Sequence, residues 1–296
     1  MKTYYQAFGE RGFVLSAELQ LKPDMSASDV VADGRALSAN VDGVVLTDNQ
    51  YGQTHMSTSA AASLLLGAGI DPIVQLSCRN RNRTALVSEL LGVRALGATS
   101  VMLIEGAKVP KGFEPRPRPV LDMHAKELIA TAKLINEDGA LSGTDFLIVT
   151  SGTVHSPQPG WEPEELLAKS EAGARIIMTQ LCFDVDLLKR YISTLISKKM
   201  THQVRFIVSL ATLPSLSIAR FLRDNRRRAL IPASVLKRLG QSNDAEEEGV
   251  LICSELLQQY SEIPGISGAN LMTLGTVDTI GAAISASGVR NEQGLE

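Results

Sequence analysis

Short apolar segments alternate with longer amphipathic segments along the whole chain, and this alternation restricts the possible folds more than any other feature. Two of the apolar segments, VMLI and FLIV, have no polar face, which is typical of parallel strands covered by helices. Eight segments have strand character: 13–18, 43–47, 72–78, 100–104, 145–150, 175–180, 204–210 and 267–273. Regular alternation of strands and helices predicts the α/β class.

The segments between the strands have apolar residues three and four positions apart, which predicts helices. Nine such segments occur: 26–37, 57–66, 84–96, 125–135, 162–172, 184–199, 215–224, 244–260 and 276–284. Ser57, Thr84 and Asp184 are the predicted N-caps.

Eight strand and helix units in 296 residues predict a (β/α)8 TIM barrel. We expect one domain over residues 1–296, with an extra element at 225–241 and a disordered or non-native tail at 290–296. The alternative is an open doubly wound sheet. That fold normally carries a GxGxxG motif after an early strand, and the sequence has none.

Composition excludes several function classes. A net charge of −3 and 4% aromatic residues do not favour binding to nucleic acid. No apolar stretch approaches the ~20 residues of a membrane span, and the N-terminus lacks the apolar core of a signal peptide, so we expect a cytoplasmic protein without membrane contact. Three scattered cysteines predict buried, reduced thiols. Four histidines without HxH or HExxH spacing predict no metal site.

In a barrel of this kind the residues that follow the strands surround the active site. Glu18 ends the first strand, where a partly dehydrated carboxyl group can act as a general acid; the alternative is a structural ion pair with an arginine. Gln180 ends the sixth strand and offers a donor and an acceptor to a heterocycle; the alternative is an amide that anchors a loop.

Two further polar residues each allow a functional and a purely structural interpretation. His155 lies in the loop GTVHSPQPGWEP after the fifth strand and either contacts a ligand or is merely exposed. Lys169 lies on the following helix, where a lysine is usually solvated. No GxSxG elbow or kinase loop occurs in the sequence, so nucleophilic catalysis is not the first hypothesis.

Several segments together resemble the methylenetetrahydrofolate reductase family, including the branch that some bacteria fuse to homocysteine methyltransferases. The similarity extends over nearly the whole chain, and two runs are the most specific, CRNRNR and AGARIIMTQLCFD. The other matching segments are SAELQLKP (16–23), GVVLTDNQ (43–50), VMLIEG (101–106), VLDMHAKELI (120–129) and ALIPASVLKRL (229–239).

The resemblance implies an oxidoreductase that interconverts 5,10-methylenetetrahydrofolate and 5-methyltetrahydrofolate. In this family NADH or NADPH reduces bound FAD, which then reduces the folate. The matching positions imply that Glu18 is the general acid and that Gln180, Thr47 and Phe183 bind substrate. They also imply a set of cofactor-binding residues: Thr47, Gln75, Gly106, Ala107, His124, Ser151, His155 and Lys169. We further expect a homo-oligomer.

The sequence departs from the family pattern at positions near the flavin. Ala107 stands where an aspartate is usual, Gln75 replaces a histidine, Ser151 replaces a tyrosine, and TLGT replaces TLNR near the C-terminus. Two alternatives therefore stay open. One is direct hydride transfer from nicotinamide to folate without flavin, and the other is a non-catalytic barrel that binds folate or a partner protein.

Three arginines follow the third strand in the run PIVQLSCRNRNR. We expect Arg79 or Arg81 to point across the mouth of the barrel, either to anchor acidic residues such as Asp48 or Glu105 or to meet an anionic part of cofactor or folate. Arg83 is expected to be solvated.

Overall fold

The computed structural model describes residues 2–109, 116–141 and 145–290. Eight parallel strands form a closed barrel in which each strand pairs with the next and β8 pairs with β1. The strands are β1 Val14–Leu19, β2 Gly43–Leu46, β3 Pro72–Ser77, β4 Ser100–Ile104, β5 Leu147–Gly152, β6 Ile176–Leu181, β7 Arg205–Thr212 and β8 Ile266–Thr273. The predicted (β/α)8 barrel is confirmed, and the open-sheet alternative is wrong.

Helices surround this barrel. In the described part of the chain they are α1 Tyr4–Glu10, α2 Ala27–Ser38, α3 Thr58–Gly67, α4 Arg83–Ala95, α5 Ala125–Glu137, α6 Glu164–Ala172, α7 Val185–Ser197, α8 Leu216–Asn225, α9 Ala233–Gln241, α10 Ala245–Ser261 and α11 Asp278–Ser287. All nine predicted helices are present within a few residues of their expected bounds. The sequence did not predict α1, and it indicated α9 only as an extra element of unspecified type.

Side-chain caps fix where the helices begin. Ser57 Oγ accepts a hydrogen bond from Ala60 N at 3.2 Å, and Asp184 Oδ1 accepts one from Leu187 N at 2.9 Å, so both predicted caps are confirmed. The prediction for Thr84 is wrong. Asn82 caps α4 instead, because its side-chain oxygen accepts from Ala85 N at 2.9 Å and the helix already begins at Arg83.

Apolar side chains fill the N-terminal half of the barrel interior, and α1 closes that end. Tyr4 and Ala7 pack against Val14, Ile73 and the other inward residues of this cluster. Tyr4 N also donates a hydrogen bond to Asp71 Oδ2 at 2.8 Å. A Cβ at Gly43 would lie only 2.7 Å from the Tyr4 ring, so the helix sits directly on the strand ends. In the part of the chain that the structure describes, the interior is therefore closed at the N-terminal end and open at the C-terminal end.

The sequence predicted a tail that begins at residue 290, but the structure holds Arg290 against the barrel. Arg290 Nη2 lies 2.6 Å from Asp42 Oδ2 at the closed end of the barrel, so Arg290 is not part of a free tail. The buried carboxylate of Asp42, 4% exposed, explains this contact because a buried charge requires a partner. The rest of the predicted tail, 291–296, lies outside the described residues.

A further finding concerns membranes. Within the ranges that the structure describes, none of the helices is both long and apolar enough to span a bilayer.

We predict opposite effects for alanine at two glycines inside helices. A Cβ at Gly249 in α10 would lie 2.1 Å from the backbone oxygen of Leu213, so Gly249→Ala should lower the free energy of unfolding by about 1–3 kcal/mol. Gly92 in α4 has open space at the Cβ position, so Gly92→Ala should raise it by roughly 0.5–1 kcal/mol. Urea denaturation of both variants measures this, and equal effects would contradict the packing that we describe.

Candidate active site

The alternation of inward and outward residues along each strand continues from the apolar interior to the open mouth. Val14 faces the interior of the barrel, and Glu18, four residues further along β1, therefore points to the same side. By the same rule β3, β5 and β6 direct Gln75, Ser151 and Gln180 inward. These side chains line a mouth cavity of about 310 Å³, together with Ser77 and Ser209. The strands thus deliver polar groups to one end of an otherwise apolar interior.

Glu18 lies at the centre of a network of donors. Its Oε2 accepts hydrogen bonds from Gln50 Nε2 at 2.9 Å and Arg226 Nη2 at 3.1 Å. Its Oε1 accepts from Asn270 Nδ2 at 3.3 Å and from the same Arg226 nitrogen at 3.4 Å. Glu18 therefore lines the cavity and is paired with an arginine, as its alternative interpretation predicted, and its role as a general acid stays a prediction.

Arg226 reaches Glu18 from a segment that crosses the mouth. This mouth strap, residues 225–230, follows α8 and is fixed to the end of β6. Leu230 N donates to Leu181 O at 2.9 Å, and Phe183 N donates to Leu230 O at 2.8 Å. Burial disfavours the guanidinium charge of Arg226, but the charges and hydrogen bonds of Glu18 and Tyr51 together outweigh burial and raise the pKa of Arg226. The side chain is therefore a fixed cation beside the carboxylate.

Two carboxamides lie in the same cavity on strands β3 and β6. Gln180 Oε1 accepts a hydrogen bond from Leu181 N at 3.0 Å, which leaves its NH₂ group for the cavity. The pairing of β6 with β7 shifts register beside Gln180, between Met178 and Leu181. The side chain of Gln75 makes no hydrogen bond to a described residue and is 7% exposed. The two amides together offer donors and acceptors to a planar heterocycle.

The arginines after β3 tie neighbouring loops together. Arg81 binds both carboxylate oxygens of Asp48, at 2.6 and 3.1 Å, which confirms the anchoring role expected for this run. Arg79 donates to the backbone oxygens of Asn49 at 2.6 Å and Ala107 at 2.8 Å, and does not bind Glu105. Arg83 is 56% exposed and approaches Glu127 at 3.5 Å, so it is solvated but not isolated.

The turn after β4 is packed tightly onto β3. Gly106 has a φ of +91°, and a Cβ there would lie 2.2 Å from Ser77 Oγ. Only glycine fits both the backbone conformation and the space. Ala107 lies next in the turn and lines the mouth cavity, so it leaves the cavity without a carboxylate at that position.

His124 and Glu105 form a pair beside the cavity. His124 Nδ1 lies 2.6 Å from Glu105 Oε1, and Glu105 Oε2 accepts from Ala125 N at 2.9 Å at the start of α5. Glu105 lines the cavity, whereas the side chain of His124 is 68% exposed and does not. The hydrogen bond to Glu105 and its negative charge raise the pKa of His124.

Lys169 lies behind the end of β5. Its Nζ donates to Ser151 O at 2.9 Å and to Glu165 Oε1 at 2.6 Å, and the side chain is 12% exposed. The structure therefore places Lys169 where it supports the β5 strand end rather than lining the mouth cavity.

A second cavity of about 1000 Å³ lies next to the mouth and has aromatic walls. The His155 ring lies 4.7 Å from the ring of Trp161 and 5.0 Å from that of Tyr191, both edge to face. Thr153 lines both this aromatic pocket and the mouth cavity. Arg228, an exposed cation on the mouth strap, also lines the pocket and donates to Thr153 Oγ1 at 3.1 Å.

Phe183 and Thr47 line neither cavity, like His124 and Lys169. Phe183 is 4% exposed and packs in the core between strands and helices. Thr47 is fully buried, and its hydroxyl has no hydrogen-bond partner. Their roles in binding stay predictions.

The three cysteines are buried and free, as the sequence predicted. Burial raises the pKa of each thiol, Cys78, Cys182 and Cys253, to about 12, so none of them is a nucleophile at neutral pH. Among the residues with described positions, no group of three or more His, Cys, Asp or Glu side chains could hold a metal ion.

The sequence did not indicate any of the three side chains that donate hydrogen bonds to Glu18. Gln50 follows β2 directly and could have been found as a strand-end residue. Asn270 is a polar residue within the strand β8, where the inward alternation would have indicated it. Arg226 carried no such signal, because it lies after a helix and reaches the mouth only through the path of the strap.

The methylenetetrahydrofolate reductase family model matches residues 29–288. The chain belongs to this family. A probable methylenetetrahydrofolate reductase (NADPH) of Caenorhabditis elegans is 27% identical over 140 residues, which are 46% of this chain and 20% of that protein. The chain thus matches only about a fifth of the length of this curated relative.

Solved structures share the fold of this family member at low sequence identity. An uncharacterized protein from Clostridium thermocellum that binds two copies of 5-methyl-5,6,7,8-tetrahydrofolic acid has a TM-score of 0.67 and 15% identity, with 99% of each chain covered. Oxaloacetate acetylhydrolase has a TM-score of 0.52 and 10% identity, with 97% of this chain and 85% of that chain covered. At these identities the likeness shows the barrel alone.

We predict that Glu105→Gln lowers the pKa of His124 toward its ordinary value of about 6.5. Since Glu105 raises this pKa in the folded chain, the pair stabilises the fold below about pH 6.5, and the contribution is lost as the pH rises through the folded-state pKa. NMR titration of the imidazole signals measures the shift, with His124→Asn to assign the resonance. An unchanged midpoint in Glu105→Gln would contradict the pairing.

Proposed function

We propose that this chain interconverts 5,10-methylenetetrahydrofolate and 5-methyltetrahydrofolate by hydride transfer, with NADH or NADPH as the electron donor. The observation that carries the proposal is the carboxylate of Glu18 in the same cavity as the amides of Gln180 and Gln75. Family membership supports it, as does the name of the nematode relative, which specifies NADPH. The clostridial protein with this fold binds a methylated folate, which supports folate as the substrate class.

The mouth cavity suits one bicyclic ring. Its volume of about 310 Å³ lies at the lower end of the ~300–1000 Å³ of small-molecule sites. The free NH₂ group of Gln180 can donate to a ring nitrogen or oxygen, and Gln75 can both donate and accept. Glu18 takes up a proton from solvent and then transfers it to the nitrogen that leaves the methylene carbon. The ring opens to an iminium ion, and the hydride is added at that carbon.

The residues beside the mouth fit a dinucleotide. Because Thr153 lines both cavities, a long ligand can extend from the mouth into the aromatic pocket. There Trp161, Tyr191 and His155 offer faces and edges for an adenine ring. Arg228 offers a cation for phosphates. NAD(P)H and FAD share this chemistry, and bound FAD would carry the hydride from nicotinamide to folate.

Direct transfer from nicotinamide to folate is the second candidate. Two observations favour it, because both concern positions expected to bind the flavin. Ala107 places no carboxylate at the turn after β4, and the Nζ of Lys169 is already bound by Glu165 and the Ser151 carbonyl. A flavin absorbance spectrum of the purified protein, bleached by NADPH and restored by methylenetetrahydrofolate, supports the flavin route. A colourless protein that oxidises NADPH only with the folate supports the direct route, and a protein without either activity is a binding barrel.

Two expectations from the sequence remain predictions. We expect a homo-oligomer, which light scattering tests, and a cytoplasmic protein. Nothing in the proposed chemistry depends on either one.

We predict that Glu18→Gln lowers folate turnover by about 10²- to 10⁴-fold, because the amide cannot supply the proton. Binding of the nicotinamide cofactor should stay unchanged, since Glu18 does not line the aromatic pocket. Glu171→Gln, an exposed position on α6, is the matched control and should keep full turnover. Equal folate turnover in Glu18→Gln and Glu171→Gln would rule out the assigned role.

We also predict that NADPH quenches the fluorescence of Trp161, the single tryptophan of the chain. Arg228→Met should weaken NADPH binding about tenfold, because hydrogen bonds to charged groups contribute roughly 1.5–3 kcal/mol. Arg223→Met changes an exposed arginine on α8 outside both cavities and is the control. No quenching, or equal affinities in the two variants, would exclude the aromatic pocket as the dinucleotide site.

A further inference from the structure

The carboxylate of Glu18 has no free acceptor site. An ionised carboxylate offers about four lone-pair positions. Gln50 and Asn270 each occupy one, and Arg226 approaches both oxygens, so four contacts of 2.9 to 3.4 Å surround the group. Glu18 can exchange a proton with a folate only if one of these donors leaves. The identity of that donor therefore matters for the reaction.

Asn270 is fixed in place. Its Oδ1 accepts a hydrogen bond from Ser16 Oγ at 2.9 Å, and both residues are completely buried. Ser16 and Asn270 are also direct partners in the pairing of β1 with β8. Movement of the Asn270 side chain would break its hydrogen bond to Ser16 and leave two buried polar groups without a partner.

Arg226 is fixed by the backbone that carries it. Leu230, four residues later, is hydrogen-bonded on both sides to the end of β6. The guanidinium also contacts Met272 on β8, and it is 12% exposed, as is Glu18. If Arg226 withdrew, a carboxylate would remain buried without a counter-ion, which is strongly unfavourable.

Gln50 is held least firmly. It lies on the short 3-10 turn Gln50–Gly52, and the residues on either side, Asn49 and Tyr51, have φ angles of 48° and 55°. Left-handed conformations cost about 1–2 kcal/mol per residue outside glycine. The Oε1 of Gln50 is buried without a partner, so its amide is only half satisfied. Gln50 also lines the mouth cavity, where an entering ligand would meet it.

We propose that Arg226 is a positioning residue that holds the Glu18 carboxylate throughout the reaction, and that Gln50 covers Glu18 until the entering folate displaces it. Displacement of Gln50 frees one position on Oε2 toward the cavity, while Arg226 and Asn270 keep the group oriented. This inference rests on the proposed function, because it assumes that folate reacts at Glu18.

Kinetics and binding of paired variants test the two roles separately. The substitutions are Arg226→Met, Arg226→Lys and Gln50→Ala, with Arg223→Met as the control. The measurements are kcat, KM for methylenetetrahydrofolate, and the Kd for 5-methyltetrahydrofolate from calorimetry. The Kd is a readout that does not require turnover.

We expect Arg226→Met to lower kcat about 100-fold, since misplacement of a reacting group by about 1 Å has an effect of this size. Its Kd for 5-methyltetrahydrofolate should stay close to that of the control. Arg226→Lys should recover part of kcat, because it keeps the charge but not the two-oxygen contact. This second variant also separates the positioning role from a loss of folding, because it retains the counter-ion.

We expect Gln50→Ala to tighten the Kd about fivefold, because folate no longer competes with one hydrogen bond. The kcat of this variant should fall far less than that of Arg226→Met, because Arg226 and Asn270 still orient the Glu18 carboxylate.

Four results would overturn the inference in whole or in part. Tighter folate binding with unchanged kcat in Arg226→Met would show that the arginine is the displaced donor. Weaker binding in Gln50→Ala would show that Gln50 is a substrate contact rather than a cover. If the wild-type protein turns over normally and Arg226→Met has the same kcat as the control, the positioning role alone is excluded. If the wild-type protein neither binds nor converts folate, the proposed function is overturned as well.

Discussion

The pairing of β8 with β1 is the constraint on which the candidate site depends. This pairing closes the sheet and places Ser16 beside Asn270, two residues that are 254 positions apart in the chain. Asn270 in turn donates to Glu18, so the carboxylate is oriented by the same contact that closes the barrel. A sheet that remained open at this seam would keep its strands but would lose one of the three donors around Glu18.

Closure also explains why the polar residues collect at one end. Eight parallel strands direct every second side chain inward, and α1 seals the N-terminal end with Tyr4 against Gly43. Polar inward positions need a partner, which is water or a ligand at the open mouth and another side chain deeper in the barrel, as for Ser16 and Asn270. The site is therefore a consequence of barrel geometry combined with a change from apolar to polar residues along each strand.

The mouth strap adds a cation that the strands do not supply. It brings Arg226 to Glu18 across 208 positions of sequence and places Arg228 over the neighbouring aromatic pocket. Arg228 has a φ of +65°, and this turn directs the two side chains to different cavities. One short segment thus connects the mouth cavity, which we propose for folate, to the aromatic pocket, which we propose for the dinucleotide, and gives both cavities a shared wall.

The sequence by itself determined the eight strands, nine of the helices and the strand-end positions of Glu18, Gln75 and Gln180, because these depend on local periodicity and on the order of elements. It could not determine which side chains contact Glu18. Arg226 follows a helix, and its approach to the mouth depends on hydrogen bonds between Leu230 and β6, which no local pattern encodes. Thr84 was wrongly predicted as the N-cap of α4. Two residues earlier, the side chain of Asn82 is also suited to capping, and it accepts the hydrogen bond from Ala85 N. Local propensities decide the elements, and only the closed barrel decides which distant residues meet.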